Sequence, residues 1–235
     1  MYSRYRATQA APDIDVNAQA PDYHDKAYGL YFGELLPKDR SSRILDLGCG
    51  RGQFMAYLTG AGYTSVQGVE FSDDQIEHAR KTGITGIVQS NIATFLQESS
   101  ESWDCIVAID VLEHFNTNEV LSLVSNVAER LSPGGRFIMR SVNAASPFFG
   151  SIRYADLTHE TAFTPVSLGQ LFRNVGLREF GFHDSGPRAH SLKGAVRVVI
   201  WNILTAAFRI YTMVEMGYAE RVFSRNLIAW AEKDR

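Results

Sequence analysis

The chain has only two cysteines, Cys49 and Cys105, among 235 residues. Each lies in an apolar run and they cannot form a CxxC pair, so we expect reduced core residues, a cytoplasmic location and no zinc knuckle. An excess of positive charge is also missing, because 23 basic and 26 acidic residues give a net charge of −3. Such a chain offers no overall attraction for nucleic acid, and we expect no nucleic-acid partner.

The N-terminal segment has no long hydrophobic run. Arg4 and Arg6 are not followed by the apolar stretch of a signal peptide, so we expect no export by that route. Residues 1–22 are rich in Ala, Gln, Asp and Pro without periodicity, which predicts a flexible arm. The whole chain has 45% hydrophobic and 21% charged residues, close to the averages of globular proteins. The remaining residues 23–235 are predicted to form a single domain.

Short apolar segments alternate with helical patterns along this domain. Helices are predicted at 23–36, 54–59, 73–79, 118–131 and 165–176, and strands at 43–47, 66–71, 84–88, 103–109, 136–142, 179–183 and 226–231. This order predicts an α/β, Rossmann-like fold with a mostly parallel, seven-stranded sheet and helices on both faces. Such sheets bind ligands beyond the carboxyl ends of their strands.

The sharpest local motif is DLGCGRG, from Asp46 to Gly52, between the first predicted strand and helix. Glycines there let the backbone turn tightly and approach a ligand, but the spacing is GxGxG rather than the GxGxxG of dinucleotide-binding proteins. Glu70 ends the second strand, where a carboxylate can accept hydrogen bonds from both ribose hydroxyls of an adenosine. The two features together predict a nucleoside ligand.

These segments, with WDCIVAIDVLEH and the LSPGG that precedes a strand, resemble the class I S-adenosylmethionine-dependent methyltransferases over about residues 41–142. The resemblance implies S-adenosylmethionine as cofactor, with Asp46 near its ammonium group, the glycines along its methionine part and Glu70 on its ribose. Asn91 stands where many members have an aspartate for the adenine, and it can offer a carbonyl oxygen. The implied cofactor site consists of Asp46, Gly48, Cys49, Gly50, Gly52, Glu70, Phe71, Asn91, Ile92, Asp110 and Val111.

Residues 144–165 form a predicted acceptor loop, rich in titratable groups, at the carboxyl ends of the strands. We favour His159 as the general base, oriented by Asp156 or Glu160, with His114 of DVLEH as the second candidate. The alternative for His159 is a local hydrogen bond in the loop. No spacing of histidines and carboxylates identifies a metal site.

Arg153 and Tyr154 at the start of the loop are candidate contacts for the acceptor. The alternative for Arg153 is a salt bridge to Asp156. The segment DLTHETAFT loosely resembles methyltransferases of polysaccharide or lipid-linked sugar assembly. We therefore expect O-methylation of a sugar, of another hydroxyl-bearing small molecule or of a lipid-linked glycan precursor. The alternatives are a quinone-like or other small-metabolite acceptor, a nicotinamide-dependent oxidoreductase, and a nucleoside-binding protein without catalysis.

Residues 191–217 are predicted to form a helical insertion before the last strand. One face is apolar, and the stretch between Arg197 and Arg209 is shorter than the ~20 residues that cross a bilayer. We favour a helix that covers the sheet or the acceptor pocket. A homodimer contact is the second interpretation. The third is peripheral contact with the inner face of a membrane, with Trp201 and Phe208 beside a basic edge. The predicted face contains Val196, Val199, Ile200, Ile203, Ala207, Ile210 and Val214.

Overall fold

The computed structural model describes residues 21–189 and 191–235, with side chains from residue 26 onwards. Most of the predicted arm, residues 1–20, lies outside this part of the chain. Its last two residues, Pro21 and Asp22, belong to the first helix. That helix ends at Phe32, before the predicted bound at residue 36, although Leu35 and Leu36 remain buried.

Strands and helices alternate through the described chain. The first half contains α1 (Pro21–Phe32), β1 (Arg43–Leu47), α2 (Gln53–Gly60), β2 (Ser65–Glu70), α3 (Asp73–Lys81), β3 (Ile87–Gln89), α4 (Ile92–Glu98) and β4 (Trp103–Ile109). A 3₁₀ helix (Leu112–His114) leads to α5 (Thr117–Arg130), β5 (Leu131–Val142), α6 (Phe149–Arg153), α7 (Pro165–Asn174), β6 (Glu179–Asp184), α8 (Leu192–Met216) and β7 (Asn226–Glu232).

The strands form one seven-stranded sheet in the order β3-β2-β1-β4-β5-β7-β6, which confirms the predicted fold class. The first five are parallel, and β7 runs antiparallel between β5 and β6. Strand β1 is buried from Ile44 to Leu47 and β4 is almost wholly buried, as expected for strands covered on both faces. Strand order reverses between β1 and β4, and ligands bind at such a switch point.

Several predicted bounds differ from the structure. Strand β3 begins at Ile87 instead of residue 84, because Ile84 packs beneath the glycine loop. Helix α4 was not predicted, although Asn91 caps its N-terminus and accepts from the backbone N–H groups of Ala93 and Thr94. Strand β5 begins at Leu131, so the predicted turn at residues 132–135 lies within the strand.

The pairing of β5, β6 and β7 places the later insertions at the same edge as the glycine loop. Val142, at the end of β5, pairs with Asn226 at the start of β7, and Asp184 at the end of β6 pairs with Leu227. Because β5 and β6 run parallel to β1 and β4, their carboxyl ends share one edge. The acceptor loop and α8 therefore both leave the sheet at the predicted ligand-binding edge.

The apolar face of α8 points away from the domain. Val196, Ile203 and Val214 are 53%, 65% and 83% exposed, and 11% of the helix's most apolar window is buried. The favoured interpretation, a helix whose apolar face covers the sheet or pocket, is therefore wrong. The expectation that Trp201 and Phe208 serve a membrane-facing edge is also wrong. Phe208 packs on Phe223 with ring centroids 5.6 Å apart, and Trp201 packs against Gly186.

Helix α8 is long and apolar enough to cross a membrane by length and composition. At 1.5 Å per residue its length is about 37 Å. The chain that follows it folds back along its surface, since the backbone N–H of Glu220 donates to Thr212 Oγ1 and Phe223 packs on Phe208. This return to β7 favours a helix that lies along a surface over one that crosses a bilayer.

Candidate active site

The glycine loop between β1 and α2 is fixed to the neighbouring strand. The backbone N–H groups of Gly48 and Cys49 donate to the Val69 carbonyl at 2.8 and 3.1 Å. Gly48 has φ 66°, and an added Cβ would lie 2.7 Å from Val111 Cγ2. Gly50 also has positive φ, 54°, but an added Cβ would meet nothing within 4 Å. The loop is thus closely packed at Gly48 and open at Gly50, where a ligand can approach the backbone.

The Glu70 carboxylate joins this loop to the turn after β2. Its Oε2 accepts from Gly50 N at 2.9 Å, and its Oε1 accepts from the backbone N–H groups of Phe71 and Ser72 at 2.9 and 2.8 Å. Oε2 keeps a second lone pair that can accept from a hydroxyl, whereas the two bonds to Oε1 use both of its lone pairs. Phe71, beside it, is 57% exposed. The structure therefore brings Glu70 and the predicted glycines into one site.

Asp46 lies below the loop and is 2% exposed. Burial, together with the negative charge of Glu70, raises the pKa of Asp46 to about 8. Its Oδ2 is buried and has no hydrogen-bond partner among the described residues. A buried acceptor without a partner is costly, so this atom suits a cationic ligand group. Burial also raises the pKa of the Cys49 thiol, which keeps it neutral as a packing residue.

The remaining predicted cofactor residues lie at the ends of β3 and β4. Ile92 and Val111 contact the position of Gly48 and supply an apolar wall. The expectation that Asn91 offers its carbonyl oxygen to an adenine is not supported, because that oxygen caps α4. The side-chain NH₂ of Asn91 is the group left for a ligand.

Asp110, just after β4, is held in a left-handed backbone conformation with φ 56°. Arg140 of β5 donates to both of its carboxylate oxygens, with Nε 2.8 Å from Oδ1. The backbone N–H of Asp110 also donates to the Arg140 carbonyl at 2.9 Å. The arginine thus fixes the turn that enters the 3₁₀ helix. Sequence reasoning missed Arg140, although a charged residue in the middle of a predicted strand was an available signal.

Glu113 of the 3₁₀ helix anchors the acceptor loop. Its buried Oε2 accepts from Ser141 Oγ at 2.8 Å, and burial raises the pKa of Glu113 to about 8, with a further contribution from Asp110. Its backbone carbonyl accepts from the N–H groups of Glu160 and Thr161 at 2.7 and 3.1 Å. These bonds dock the middle of the loop beside His114.

The docking brings the two candidate bases together. The rings of His114 and His159 are 5.0 Å apart between centroids and tilted by 53°. Thr158 donates from both its backbone N–H and its hydroxyl to Asp156 Oδ1, at 2.8 and 2.7 Å. Its hydroxyl oxygen therefore accepts from His114 Nδ1, 3.0 Å away, which leaves the lone pair of that ring on Nε2.

The electrostatics of the pair keep His114 neutral near pH 7. Burial lowers the pKa of His114, and the neighbouring His159 lowers it further. Asp156 was predicted to orient His159, whereas the hydrogen bonds of its Oδ1 lead through Thr158 to His114. Thr158 was not predicted as a site residue, although its position between Asp156 and His159 in the sequence could have indicated it.

The predicted acceptor contacts, Arg153 and Tyr154, are adjacent in the chain and contact each other. Tyr154 is 73% exposed, and the Arg153 guanidinium lies 5.4 Å from the centre of its ring. The structure also shows a group that the sequence did not indicate. One ring nitrogen from each histidine and one carboxylate oxygen of Asp156 lie within 4.8 Å of one another, a candidate set of metal ligands.

Comparisons with known proteins agree with this geometry. Residues 22–179 match the family described as "Methyltransferase domain". The ubiquinone biosynthesis O-methyltransferase of Agrobacterium fabrum is 32% identical over 105 residues, which are 43% of this chain and 41% of that protein. The chain thus spans about two fifths of the length of the first curated relatives that it matches.

Solved structures are similar over most of the chain. A SAM-dependent methyltransferase from Archaeoglobus fulgidus superimposes with a TM-score of 0.68 and 18% identity, covering 91% of this chain and 95% of the other. The magnesium protoporphyrin IX methyltransferase of Synechocystis PCC 6803, with bound SAH, gives a TM-score of 0.56 and 14% identity, covering 90% and 83%. At these identities the similarity shows the fold.

Proposed function

The chain belongs to the methyltransferase domain family, and from this premise we propose that it methylates a hydroxyl oxygen of a small-molecule or lipid-linked acceptor. Membership confirms the resemblance to class I methyltransferases and S-adenosylmethionine as the cofactor. The observation that carries the proposal is the placement of the His114–His159 pair beside the nucleoside site, at one edge of the sheet. The more specific choice of a sugar acceptor remains part of the proposal.

The site fits the cofactor at three places. Asp46 Oδ2, buried and unpartnered, would accept from the ammonium group. Glu70 would accept from a ribose hydroxyl through the remaining lone pair of Oε2, while it continues to hold the Gly50 N–H. The open side of Gly50 would admit the methionine part. When bound, the cofactor supplies the methyl group as an electrophile on sulfur.

The charge state of Asp46 gives a test of this placement. Because its pKa in the free protein is about 8, Asp46 is protonated at pH 7, and a bound ammonium group would draw that proton off. We expect S-adenosylhomocysteine binding to release close to one proton at pH 7 and to tighten as the pH rises from 6 to 7.5. Calorimetry in buffers of different ionisation enthalpy measures the release. Asp46→Asn should abolish it, and equal proton release by this variant would contradict the assignment.

The chemistry required on the acceptor side is removal of the hydroxyl proton. As the methyl carbon bonds to oxygen, its bond to sulfur breaks, sulfur keeps the electron pair, and the proton of the hydroxyl must leave. A neutral imidazole is suited to take that proton near pH 7. His159, or His114 through Nε2, would do so, and Arg153 with Tyr154 would hold the acceptor.

The position of α8 supports a lipid-linked acceptor. Its exposed apolar face is flanked by Lys193 and Arg197 on one side and by Arg209 on the other, with Glu215 as the single acidic residue of the helix. Apolar side chains bordered by basic ones suit an anionic membrane surface. Asn143, the residue before the acceptor loop, connects that loop to the chain after α8. Its Nδ2 donates to the carbonyls of Val222 and Ser224, both at 2.9 Å. A membrane-bound α8 would therefore present the site to lipid-linked hydroxyls at the inner membrane face.

Vesicle binding tests the role of α8. We expect co-sedimentation with vesicles containing phosphatidylglycerol, weaker binding at high salt, and at least tenfold weaker binding of the double variant Ile203→Glu and Ile210→Glu. Leu121→Glu with Val166→Glu is the matched control, because both residues are exposed and lie on other helices. Binding that is unchanged by the α8 variant would contradict the proposal. A dimer in solution that this variant dissociates, without vesicle binding, would assign the face to a second copy.

An acceptor screen tests the reaction. Formation of S-adenosylhomocysteine is measured with sugar nucleotides, lipid-linked sugars and quinone-like phenols. Turnover of a hydroxyl compound supports the proposal. The phenols are included because the Agrobacterium relative is named a ubiquinone biosynthesis O-methyltransferase. Cofactor binding without turnover of any class would favour a nucleoside-binding protein that lacks catalysis.

A further inference from the structure

Three side chains from two segments converge at the acceptor side of the site. His114 comes from the 3₁₀ helix, and Asp156 and His159 come from the acceptor loop. One ligand atom of each lies within 4.8 Å of the other two. Around a tetrahedral zinc ion, ligand atoms lie about 3.3 Å apart for metal–ligand bonds of about 2.0 Å. The loop side chains therefore need to move inward by no more than about 1.5 Å to enclose an ion.

The hydrogen bonds around the cluster resemble those that orient the ligands of metal sites. Thr158 accepts from His114 Nδ1 and donates to Asp156 Oδ1, which orients two of the three side chains at once. Histidine ligands commonly use one ring nitrogen for such a bond and the other for the metal. His159 contributes the second observation, because its Nδ1 is buried and has no hydrogen-bond partner among the described residues.

We propose that His114, Asp156 and His159 bind one divalent transition-metal ion of the zinc class. Two imidazoles and a carboxylate suit zinc, cobalt or iron(II), whereas magnesium and calcium prefer sites made of oxygen ligands. Three protein ligands leave the fourth position of a tetrahedral ion open. An open position is the mark of a catalytic rather than a structural zinc site.

The position of the cluster connects the ion to the acceptor, and this step rests on the proposed function. A hydroxyl oxygen in the open position would lose its proton to solvent more easily, because the cation stabilises the alkoxide or phenolate. That oxygen then bonds to the methyl carbon, and the carbon–sulfur electron pair stays with sulfur. With the ion bound, both histidines would act as ligands, and solvent would take the proton that an imidazole takes in the reaction without the ion.

Metal binding is tested without an activity assay, on the untagged full chain after treatment with a chelator. Zn²⁺ is titrated by calorimetry and by competition with a chromogenic chelator, and Co²⁺ is used for its visible absorption spectrum. We expect one ion per chain. His159→Ala and Asp156→Ala should each weaken binding at least 100-fold, Thr158→Val should weaken it about 10- to 100-fold, and Thr158→Ser should restore it. His183→Ala, on β6, is the matched control and should bind as the unchanged chain does.

Absence of stoichiometric Zn²⁺ and Co²⁺ binding, or equal binding by the His159→Ala variant, overturns the inference. The outcomes for the two proposals can be told apart. Ion binding with no methyl transfer to any hydroxyl acceptor would leave the metal site standing and remove the proposed function. Methyl transfer that a chelator leaves unchanged, by a chain that binds no ion, would remove the metal site and leave the proposed function standing. S-adenosylhomocysteine affinity should be the same in the ligand variants, because none of the three residues lies in the nucleoside site.

Discussion

The Glu70→Ala variant is expected to bind S-adenosylhomocysteine at least 100-fold more weakly than the unchanged chain, a loss of about 3 kcal/mol. Two effects add. The variant loses the charged acceptor for the ribose hydroxyls, and it releases the N–H of Gly50, which Glu70 Oε2 holds at 2.9 Å. The turn after β2 also loses its two bonds from Phe71 and Ser72 to Oε1. Calorimetry with S-adenosylhomocysteine measures the change.

Two further variants separate recognition from folding. Glu77→Ala removes an exposed carboxylate on α3 that pairs with Lys81, and it should leave both affinity and melting temperature nearly unchanged. Glu70→Gln keeps an oxygen that can accept a hydrogen bond. Its affinity for S-adenosylhomocysteine should therefore fall between those of the Glu70→Ala variant and the unchanged chain. Tight cofactor binding by Glu70→Ala would remove Glu70 from the site. A preference of the unchanged chain for NAD over S-adenosylhomocysteine would favour an oxidoreductase instead.

The nucleoside half of the site was predictable because its signals are local. Each of the two motifs joins a strand to the segment that follows it, so DLGCGRG and Glu70 could be placed at adjacent strand ends without knowing the rest of the fold. The carboxyl ends of parallel neighbours necessarily meet at one edge. What the sequence did not reveal there was the bond from Gly50 to Glu70, and the use of the Asn91 oxygen as a helix cap.

The acceptor half depends on contacts distant in sequence. His114 and Thr158 are 44 positions apart, and their hydrogen bond follows from the docking of Glu160 and Thr161 on the Glu113 carbonyl. No periodicity or motif spacing encodes such a contact, which is why both histidines were predicted as separate candidates rather than as a pair. The candidate metal ligands were missed for the same reason.

Helix α8 shows a different limit of sequence reasoning. Its amphipathic pattern correctly predicted a helix with one apolar face, but a pattern does not say whether that face meets the protein or something outside it. The smaller stripe containing Trp201, Thr205 and Phe208 packs on the domain instead. The buried stripe was overlooked because Thr205 is polar, whereas the exposed face has the larger aliphatic side chains.

Replacing either member of the histidine pair is expected to lower kcat by about 10²- to 10⁴-fold with the acceptor that the screen identifies, while the affinity for S-adenosylhomocysteine stays unchanged. The reason is that the pair acts on the hydroxyl, whereas Asp46 and Glu70 hold the cofactor. Since Thr158 connects Asp156 to the His114 ring, the two histidines and this network should act as a unit. The double variant His114→Ala with His159→Ala should therefore lose little more than the more damaging single variant.

Steady-state kinetics with acceptor and cofactor varied separately measure these effects, and His183→Ala provides the control. Thr158→Val should lower kcat with a smaller effect than His114→Ala, because it leaves the ring present but unaligned, and Thr158→Ser should recover most of the loss. Full turnover by His159→Ala would remove the favoured base, and full turnover by both single variants would remove the pair from the reaction. Losses that multiply in the double variant would instead show that the two rings act independently.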